Sequence, residues 1–84
     1  MIYALLILPR AEKELLALDS KPYESIKKKI YSLRDEPRPP GCRKLADHPG
    51  WRIRVGDYRV VYEINDEARR VTVLRVGHRK EIYR

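Results

Sequence analysis

The chain has 84 residues, of which 19 are lysine or arginine and 12 are aspartate or glutamate, so its formal net charge is +7. This length predicts one small domain spanning residues 1–84. The single cysteine, Cys42, excludes an intramolecular disulfide, and the two histidines, His48 and His78, are too far apart for a zinc-binding motif. We therefore expect neither a metal nor a cofactor, and the lone thiol suits a reducing cytoplasm.

The excess of positive charge is distributed unevenly. Residues 1–20 carry a net charge of −1, residues 21–44 carry +5, residues 45–50 carry −1 and residues 51–84 carry +4. Such an excess predicts a polyanionic partner, which could be nucleic acid, an anionic membrane or an acidic protein segment. The alternative is a basic protein that has no such partner.

The first predicted element is a strand over Ile2–Leu8. This continuous apolar run is typical of a strand buried on both faces. It is too short to span a membrane, and no basic region precedes it as in a secretory signal, so we expect a cytoplasmic protein. Pro9 ends the run and can open a helix.

Two helices are predicted to follow. The apolar residues of the first helix recur at the spacing of one helical face: Ala11, Leu15 and Leu18. Ser20 is expected to cap the second helix, with Pro22 in its first turn. The apolar stripe of the second helix consists of Tyr23, Ile26, Ile30 and Leu33. The lysine run Lys27–Lys29 lies mostly off this stripe. Such a run is usually a solvated face, and Lys27 and Lys28 are its candidates for contact with RNA.

The proline-rich segment Glu36–Gly50 predicts a loop and not a domain linker, because too little chain follows it to fold alone. Three strand patterns come next: Trp51–Val55, Tyr58–Ile64 and Val71–Gly77. The resulting order, β-α-α-β-β-β, predicts an α+β fold. We expect an antiparallel-rich, twisted sheet with a helical hairpin packed on one face and an open basic face on the other.

The segment "WRIRVGDYRVVYEIN" predicts a β-hairpin with a two-residue type II′ turn that begins at Gly56. This turn places Arg54 opposite Arg59, and strand alternation puts Arg52 on the same open face. Like charges that are directly opposed across strands are unfavourable, on a scale of roughly 0.2–1 kcal/mol per pair. The pair therefore predicts an anion-binding site. The alternative is that Glu63 or another acid neutralises these arginines.

The last strand extends the predicted site. Three of its residues are expected to face the helices, on the side also expected for Trp51. They are Thr72, Leu74 and Val76. Its residues expected on the open face are Arg75, Gly77 and Arg79. If this strand pairs beside Tyr58–Ile64, Arg79 can approach Arg54 and Arg59. Tyr83 can then lie near them. Arginine binds phosphate through two parallel hydrogen bonds and a tyrosine ring can stack on a base, so we expect recognition or cleavage of single-stranded RNA.

The chain resembles the RelE toxins of the bacterial and archaeal RelE/ParE superfamily over nearly its whole length. The resemblance rests on the element order, on "KLADHPGWRIRVGDYRVVYEI" and on the terminal "VGHRKEIYR". It implies a toxin of a type II toxin–antitoxin module. Such a toxin is a ribosome-dependent endoribonuclease that cuts messenger RNA in the A site, where the 2′-hydroxyl attacks the adjacent phosphorus.

The resemblance also implies roles for individual residues. Arg52 and Arg54 match the two basic positions of the first hairpin strand, one of which is assigned as general base. Arg59 matches the arginine that stabilises the phosphate. Arg79 matches the arginine assigned to protonation of the leaving group or to charge stabilisation. Tyr83 matches the tyrosine that stacks on and orients the nucleotide.

One departure concerns the general base. The two hairpin positions are often lysine in the best-known members, and arginine is a poor base because it stays protonated. Electrostatic stabilisation of the transition state suits it better. A histidine can exchange a proton near neutral pH, so His78 is the candidate base, with Glu63 and Glu81 as weaker ones. The alternative is a loop or helix-cap histidine. Further candidate RNA contacts are Lys44, Arg75 and Lys80.

The partners follow from the same resemblance. They are the ribosome, messenger RNA and an acidic, largely disordered antitoxin that folds on binding, with operator DNA reached only through the antitoxin and no membrane involved. Two alternatives stay open. One is a ParE-like inhibitor of DNA gyrase with the same fold, and the other is a non-catalytic RNA- or ribosome-binding module.

Overall fold

The structure, a computed structural model, describes residues 2–78. In chain order its elements are β1 (Ala4–Ile7), α1 (Pro9–Leu16), α2 (Ser20–Ser32), β2 (Arg43–Lys44), β3 (Trp51–Val55), β4 (Tyr58–Asn65) and β5 (Arg70–His78). The predicted α+β order is confirmed. The structure adds the two-residue strand β2, which lies within the segment predicted as a loop.

All five strands form one sheet in the order β1-β5-β4-β3-β2. β1 runs parallel to β5, and the other three neighbouring pairs are antiparallel. The prediction of an antiparallel-rich sheet is therefore confirmed. None of the helices within residues 2–78 is long and apolar enough to cross a bilayer.

The core lies between the two helices and one face of the sheet. Its buried side chains come from both layers: Ala11, Leu15, Ile26, Ile30, Leu33, Ile53, Val60, Tyr62, Val71, Val73 and Val76. The apolar stripes predicted for the helices supply the helical half of this set, with Leu18 and Tyr23 at its margin. Because both described helices lie on this one face, the second face of the sheet has no helix over it within residues 2–78.

The first strand is less buried than its apolar sequence predicts. Leu5 and Ile7 pack against the core, but Leu6 is 48% exposed and Ile2 is 61% exposed. The prediction of burial on both faces is therefore wrong. The reason is that β1 is an edge strand of a sheet that the helices cover on one face only.

Both helices begin near their predicted first residues. Pro9 is the first residue of α1, where its missing N–H costs nothing. Ser20 is the first residue of α2, and Asp19 occupies the extended position before it, so the expected cap at Ser20 is wrong by one residue. The Tyr23 N–H donates to the Asp19 carbonyl at 2.9 Å, which closes the first turn of α2.

The alternation predicted for the last strand is wrong in its first half. β5 contains one extra residue, Leu74, where Val61 and Tyr62 of β4 pair with Arg75 and Val73. Such a β-bulge shifts the alternation of side chains by one position. The β5 side chains buried on the helix side are therefore those of Val71, Val73 and Val76. Thr72 instead pairs with Glu63 on the open face.

The proline-rich loop is tied to the sheet by polar contacts. Arg38 donates to both carboxylate oxygens of Asp66, at 2.9 and 3.3 Å, and the Tyr3 hydroxyl donates to the same carboxylate at 2.7 Å. The hydrogen bonds from Arg38 and Tyr3 hold the pKa of the Asp66 carboxyl below its ordinary value, and the bond from Arg38 has the larger effect. The buried Tyr62 hydroxyl donates to the Pro37 carbonyl at 2.7 Å. The loop is thus fixed where it leads into β2.

Candidate functional site

The β3–β4 hairpin has the predicted turn and register. Gly56 has a φ of 61°, and the one non-glycine residue with positive φ within residues 2–78 is Arg69, so the second turn residue, Asp57, has negative φ. This combination is that of a type II′ turn. Arg54 pairs with Arg59, as expected from the turn. The local sequence therefore fixes the pair of opposed arginines.

The open face carries a second row of residues beside this pair. The first row runs across the sheet from Arg54 to Arg59 and then to Gly77. The second row contains Arg43, Arg52, Val61 and Arg75. Cross-strand partners have Cβ atoms about 4.5–5.5 Å apart, so Arg54 lies close to Arg59 in the first row and Arg43 lies close to Arg52 in the second. Arg43 was not among the predicted site residues.

Four of the arginines line a cleft of about 520 Å³, namely Arg43, Arg52, Arg54 and Arg59. Its described lining consists of Lys29, Pro40, Gly41, Arg43, Arg52, Ile53, Arg54 and Arg59. Five of these eight residues are basic and none is acidic, so the cleft is suited to an anion. Its volume lies within the range of roughly 300–1,000 Å³ found for small-molecule sites, which leaves room for part of a nucleotide chain.

The cleft forms where β3 loses its outer neighbour. β2 pairs only with Trp51 and Arg52, so the remainder of β3 has no strand beyond it within residues 2–78. α2 brings Lys29 to this cleft, and the loop before β2 brings Gly41, which has a φ of 94°. The short length of β2 is therefore what opens the site.

Trp51 lies on the face predicted for it. It pairs with Tyr62 and packs against the core, although it is half-buried and not fully enclosed. Lys44 is its cross-strand partner on β2, and the Lys44 Nζ lies 5.5 Å from the centroid of the indole ring. The Arg38 guanidinium lies 5.1 Å from the same centroid. Lys44 is thus on the helix side of the sheet and does not line the cleft.

The lysine run of α2 reaches the cleft through a residue that was not predicted. Lys29 lines the cleft, whereas Lys27 and Lys28 line a separate surface depression with Tyr31. The Lys27 Nζ lies 5.5 Å from the centroid of the Tyr23 ring. Lys29 was recognisable as a residue that borders the apolar stripe, but the side of the stripe that meets the cleft depends on the packing of α2 on the sheet.

Arg75 is directed toward α1. Its Nε lies 3.1 Å from Glu14 Oε2, and its terminal nitrogen lies 3.0 Å from the same oxygen. The Val76 N–H donates to Glu14 Oε1 at 3.0 Å. Glu14 therefore closes the edge of β5 beyond the end of β1 and holds Arg75 there, so Arg75 is not brought into the cleft.

His78 lies on the side of the sheet opposite the arginine pair. It is the cross-strand partner of Tyr58, and the two rings meet edge-on with their centroids 5.6 Å apart. Because β5 continues through His78, alternation separates its side chain from the face on which Gly77 adjoins Arg59. His78 could approach the arginines only if the strand ended at Gly77, and it does not line the cleft.

Glu63, one of the two candidate acids, is also away from the arginine pair. Glu63 lies four residues along β4 from Arg59, and no ion pair within residues 2–78 joins it to Arg54 or Arg59. Within the same residues, no cluster of histidine, cysteine, aspartate and glutamate is placed to hold a metal ion. The remaining predicted site residues lie outside the described residues: Arg79, Lys80, Glu81 and Tyr83.

Comparisons with known proteins show where this fold occurs. The sequence profile of the family described as the ParE toxin of the type II toxin–antitoxin system, parDE, matches residues 5–83. No curated protein matches the chain in a sequence comparison. Solved structures of toxin–antitoxin complexes do match it, with high similarity over nearly the whole chain.

Three of these structures illustrate the likeness. The RelBE2 complex from Mycobacterium tuberculosis has a TM-score of 0.84 at 27% identity and covers 94% of this chain and 100% of its own. The archaeal RelE–RelB complex from Pyrococcus horikoshii has a TM-score of 0.84 at 28% identity, with 96% and 99% covered. The intact RelBE complex of E. coli has a TM-score of 0.79 at 35% identity, with 90% and 95% covered. The chain therefore belongs to the ParE toxin family of type II toxin–antitoxin systems, within the superfamily that also contains the RelE toxins.

Proposed function

We propose that this toxin is a ribosome-dependent endoribonuclease that cuts messenger RNA in the ribosomal A site. The observation that supports this most is the Arg54–Arg59 pair within a cleft whose charged lining residues are all basic among residues 2–78. Phosphodiester cleavage builds negative charge on the phosphate, and preorganised guanidinium groups stabilise such charge most effectively where water is partly excluded. The identity of 35% with a RelE chain supports the same activity.

The reaction is an internal transfer at phosphorus. The 2′-hydroxyl oxygen forms a bond to the adjacent phosphorus, and the bond from phosphorus to the 5′-oxygen of the next nucleotide breaks. The 2′-hydroxyl loses its proton and the 5′-oxygen gains one, which leaves a 2′,3′-cyclic phosphate and a 5′-hydroxyl. Arg54 and Arg59 bind the non-bridging oxygens in this proposal, and Arg52 supports them from the adjacent row.

Proton transfer is assigned to none of the described cleft residues. Arginine stays protonated, and the described lining contains neither a histidine nor a carboxylate. His78 lies on the other side of the sheet, so we do not retain it as the base. The family resemblance still gives Arg79 the role of protonating the leaving group or stabilising charge, and Tyr83 that of stacking on and orienting the nucleotide.

The chain is proposed to have a cognate antitoxin. Several of the similar solved structures are complexes of a RelE toxin with a RelB antitoxin. The net charge of +7 and the basic cleft favour an acidic partner that covers the cleft and so keeps RNA out. Operator DNA would then be bound through the antitoxin.

A primer-extension assay on a defined messenger RNA tests the proposed reaction. The toxin is added to ribosomes stalled with a known codon in the A site, and to the same RNA without ribosomes. We expect cuts within the A-site codon only when ribosomes are present, and a 2′,3′-cyclic phosphate at the new 3′ end. Equal cutting of free RNA would contradict the dependence on the ribosome.

A second candidate is inhibition of DNA gyrase, which the match to the ParE family profile favours. It needs no RNA-cutting residues, so it would leave the basic cleft as a binding surface only. Growth arrest on expression without any A-site cut would favour this candidate. A gyrase supercoiling assay with the purified toxin would then decide.

A further inference from the structure

Two basic residues of the cleft lie outside the hairpin that carries the arginine pair. Lys29 comes from α2 and Arg43 comes from β2, and both line the same cleft as Arg54 and Arg59. Neither belongs to the set that the family resemblance assigns to catalysis. Two elements separate in sequence therefore converge on one cleft with the same charge.

Arg43 lies beside the arginine pair and not within it. Arg43 is the cross-strand partner of Arg52, which is two residues before Arg54 on β3. Two residues along a strand span about 6.6 Å, which is comparable to the distance between successive phosphates of a nucleic-acid strand. The two rows of basic side chains are thus spaced for two neighbouring phosphates.

Lys29 and Arg43 form no ion pair with a carboxylate of residues 2–78. The ion pairs in that part of the chain involve Arg10, Arg38 and Arg75 instead. Five basic side chains around one cleft raise its positive potential and favour a polyanion over a single charge.

The loop that lines the cleft leaves room for a strand at Gly41. Gly41 carries no side chain, and a Cβ atom built at its position would meet no heavy atom within 4 Å. The neighbouring lining residue, Pro40, is exposed and has no N–H to offer. The cleft is therefore open on this side, and an extended chain can pass over the loop from one basic row to the next.

We propose that Lys29 and Arg43 form a second phosphate subsite, which binds the phosphate next to the one held by Arg54 and Arg59. Its assignment to single-stranded RNA rests on the proposed function. The toxin thus requires at least two consecutive phosphates for full affinity, and the subsite fixes the position of the RNA strand before the 2′-hydroxyl attacks.

Equilibrium binding to short RNAs tests this subsite. The ligands are dye-labelled oligoribonucleotides with 2′-O-methyl groups, which cannot be cleaved, and they contain one or two phosphodiesters. Fluorescence anisotropy gives the Kd for the full chain. We expect the second phosphodiester to tighten binding about tenfold, as charge-assisted hydrogen bonds to one phosphate would do.

The double variant K29Q/R43Q should lose most of this tenfold gain while its Kd for the one-phosphate ligand stays within about twofold. The slope of log Kd against log salt should also fall by about 0.7, the value for one phosphate contact on a single strand. K13Q/R34Q is the matched control, because it removes the same charge at exposed positions outside the cleft. Thermal melting of both variants checks the fold, and the single variants K29Q and R43Q replace the double variant if it does not fold.

Several outcomes would overturn the proposal. One is that K29Q/R43Q keeps the full gain in affinity from the second phosphodiester. Another is that K13Q/R34Q loses as much of this gain as K29Q/R43Q does. A third is equally tight binding of a glutamate-rich peptide with the same charge, which would assign the two residues to an acidic protein segment. The assay contains no ribosomes and no cleavable RNA. If the subsite binds RNA as expected but no A-site cutting is seen, only the proposed ribonuclease activity is rejected. If A-site cutting is seen but the subsite is not, only this inference is rejected.

Discussion

Arg54 and Arg59 are directly opposed partners across the β3–β4 hairpin, with their side chains on the face of the sheet that has no helix within residues 2–78. Like charges at such positions are unfavourable. Replacing one of them should therefore stabilise the folded protein even though it removes a proposed catalytic group.

We expect Arg54→Gln to raise the free energy of unfolding by up to about 1 kcal/mol, because the repulsion from Arg59 is removed. Urea denaturation at low salt measures this change, and added salt should reduce it by screening. The control is Arg34→Gln at an exposed position on the helix side, which should change stability by less than about 0.5 kcal/mol. A lower stability of Arg54→Gln would show that the pair is already compensated within the chain.

The contacts of Glu14 predict a local effect on β5. Glu14→Ala removes the acceptor of the Val76 N–H and the partner of Arg75, so the free energy of unfolding should fall by about 1–2 kcal/mol. Hydrogen exchange should show the loss of protection at the Val76 amide in particular. The exposed Glu24→Ala is the control. Unchanged protection of Val76 would contradict the role given to Glu14.

The buried Tyr62 hydroxyl predicts an effect at alkaline pH. Burial raises the pKa of Tyr62 above its ordinary value, so the folded chain keeps this phenolic proton after the unfolded chain has lost it. The contribution of Tyr62 to stability is thus full below about pH 10 and is lost as the pH rises through the folded-state pKa.

Tyr62→Phe should remove this part of the alkaline decline and cost about 1 kcal/mol at neutral pH through the lost hydrogen bond to Pro37. Denaturation curves of both proteins from neutral to alkaline pH measure the difference. The pKa of Tyr3 is also raised, since its hydroxyl is bonded to Asp66, but both proteins share that effect. Identical alkaline slopes would contradict the prediction.

The structure places His78 opposite the arginine face, and this predicts the outcome of its substitution. His78→Gln should keep the rate of A-site cleavage within about tenfold and leave the pH profile unchanged, because removing a general base costs about 10²–10⁴-fold. Rates measured across neutral pH test this. A loss of a hundredfold or more, together with loss of the titration, would restore His78 as the base.

The parts of the site that could be predicted from sequence are those set by local geometry. The turn at Gly56 and the alternation of two short strands fix the Arg54–Arg59 pair without reference to the rest of the chain. Arg43 could not be found in this way, because a two-residue strand within a proline-rich loop has no periodicity. The contribution of Lys29 depends on how α2 lies on the sheet.

The errors in β1 and β5 also arise from contacts distant in sequence. The apolar sequence of Ile2–Leu8 gives no sign that β1 lies at the edge of the sheet, where Leu6 is exposed. In β5, apolar residues occur in both phases of the alternation, so the bulge at Leu74 cannot be recognised from the pattern. Which phase is buried depends on pairing with β4.

The most direct test of the proposed function is the single-turnover rate of A-site cleavage on programmed ribosomes. We expect Arg54→Ala and Arg59→Ala each to lower this rate by about 10²–10³-fold, the usual effect of removing one group that stabilises transition-state charge. Arg34→Ala should leave it unchanged, and thermal melting should show that all three variants are folded. Rates for Arg54→Ala and Arg59→Ala equal to that of Arg34→Ala would contradict the assignment of the basic cleft as the site of RNA cleavage.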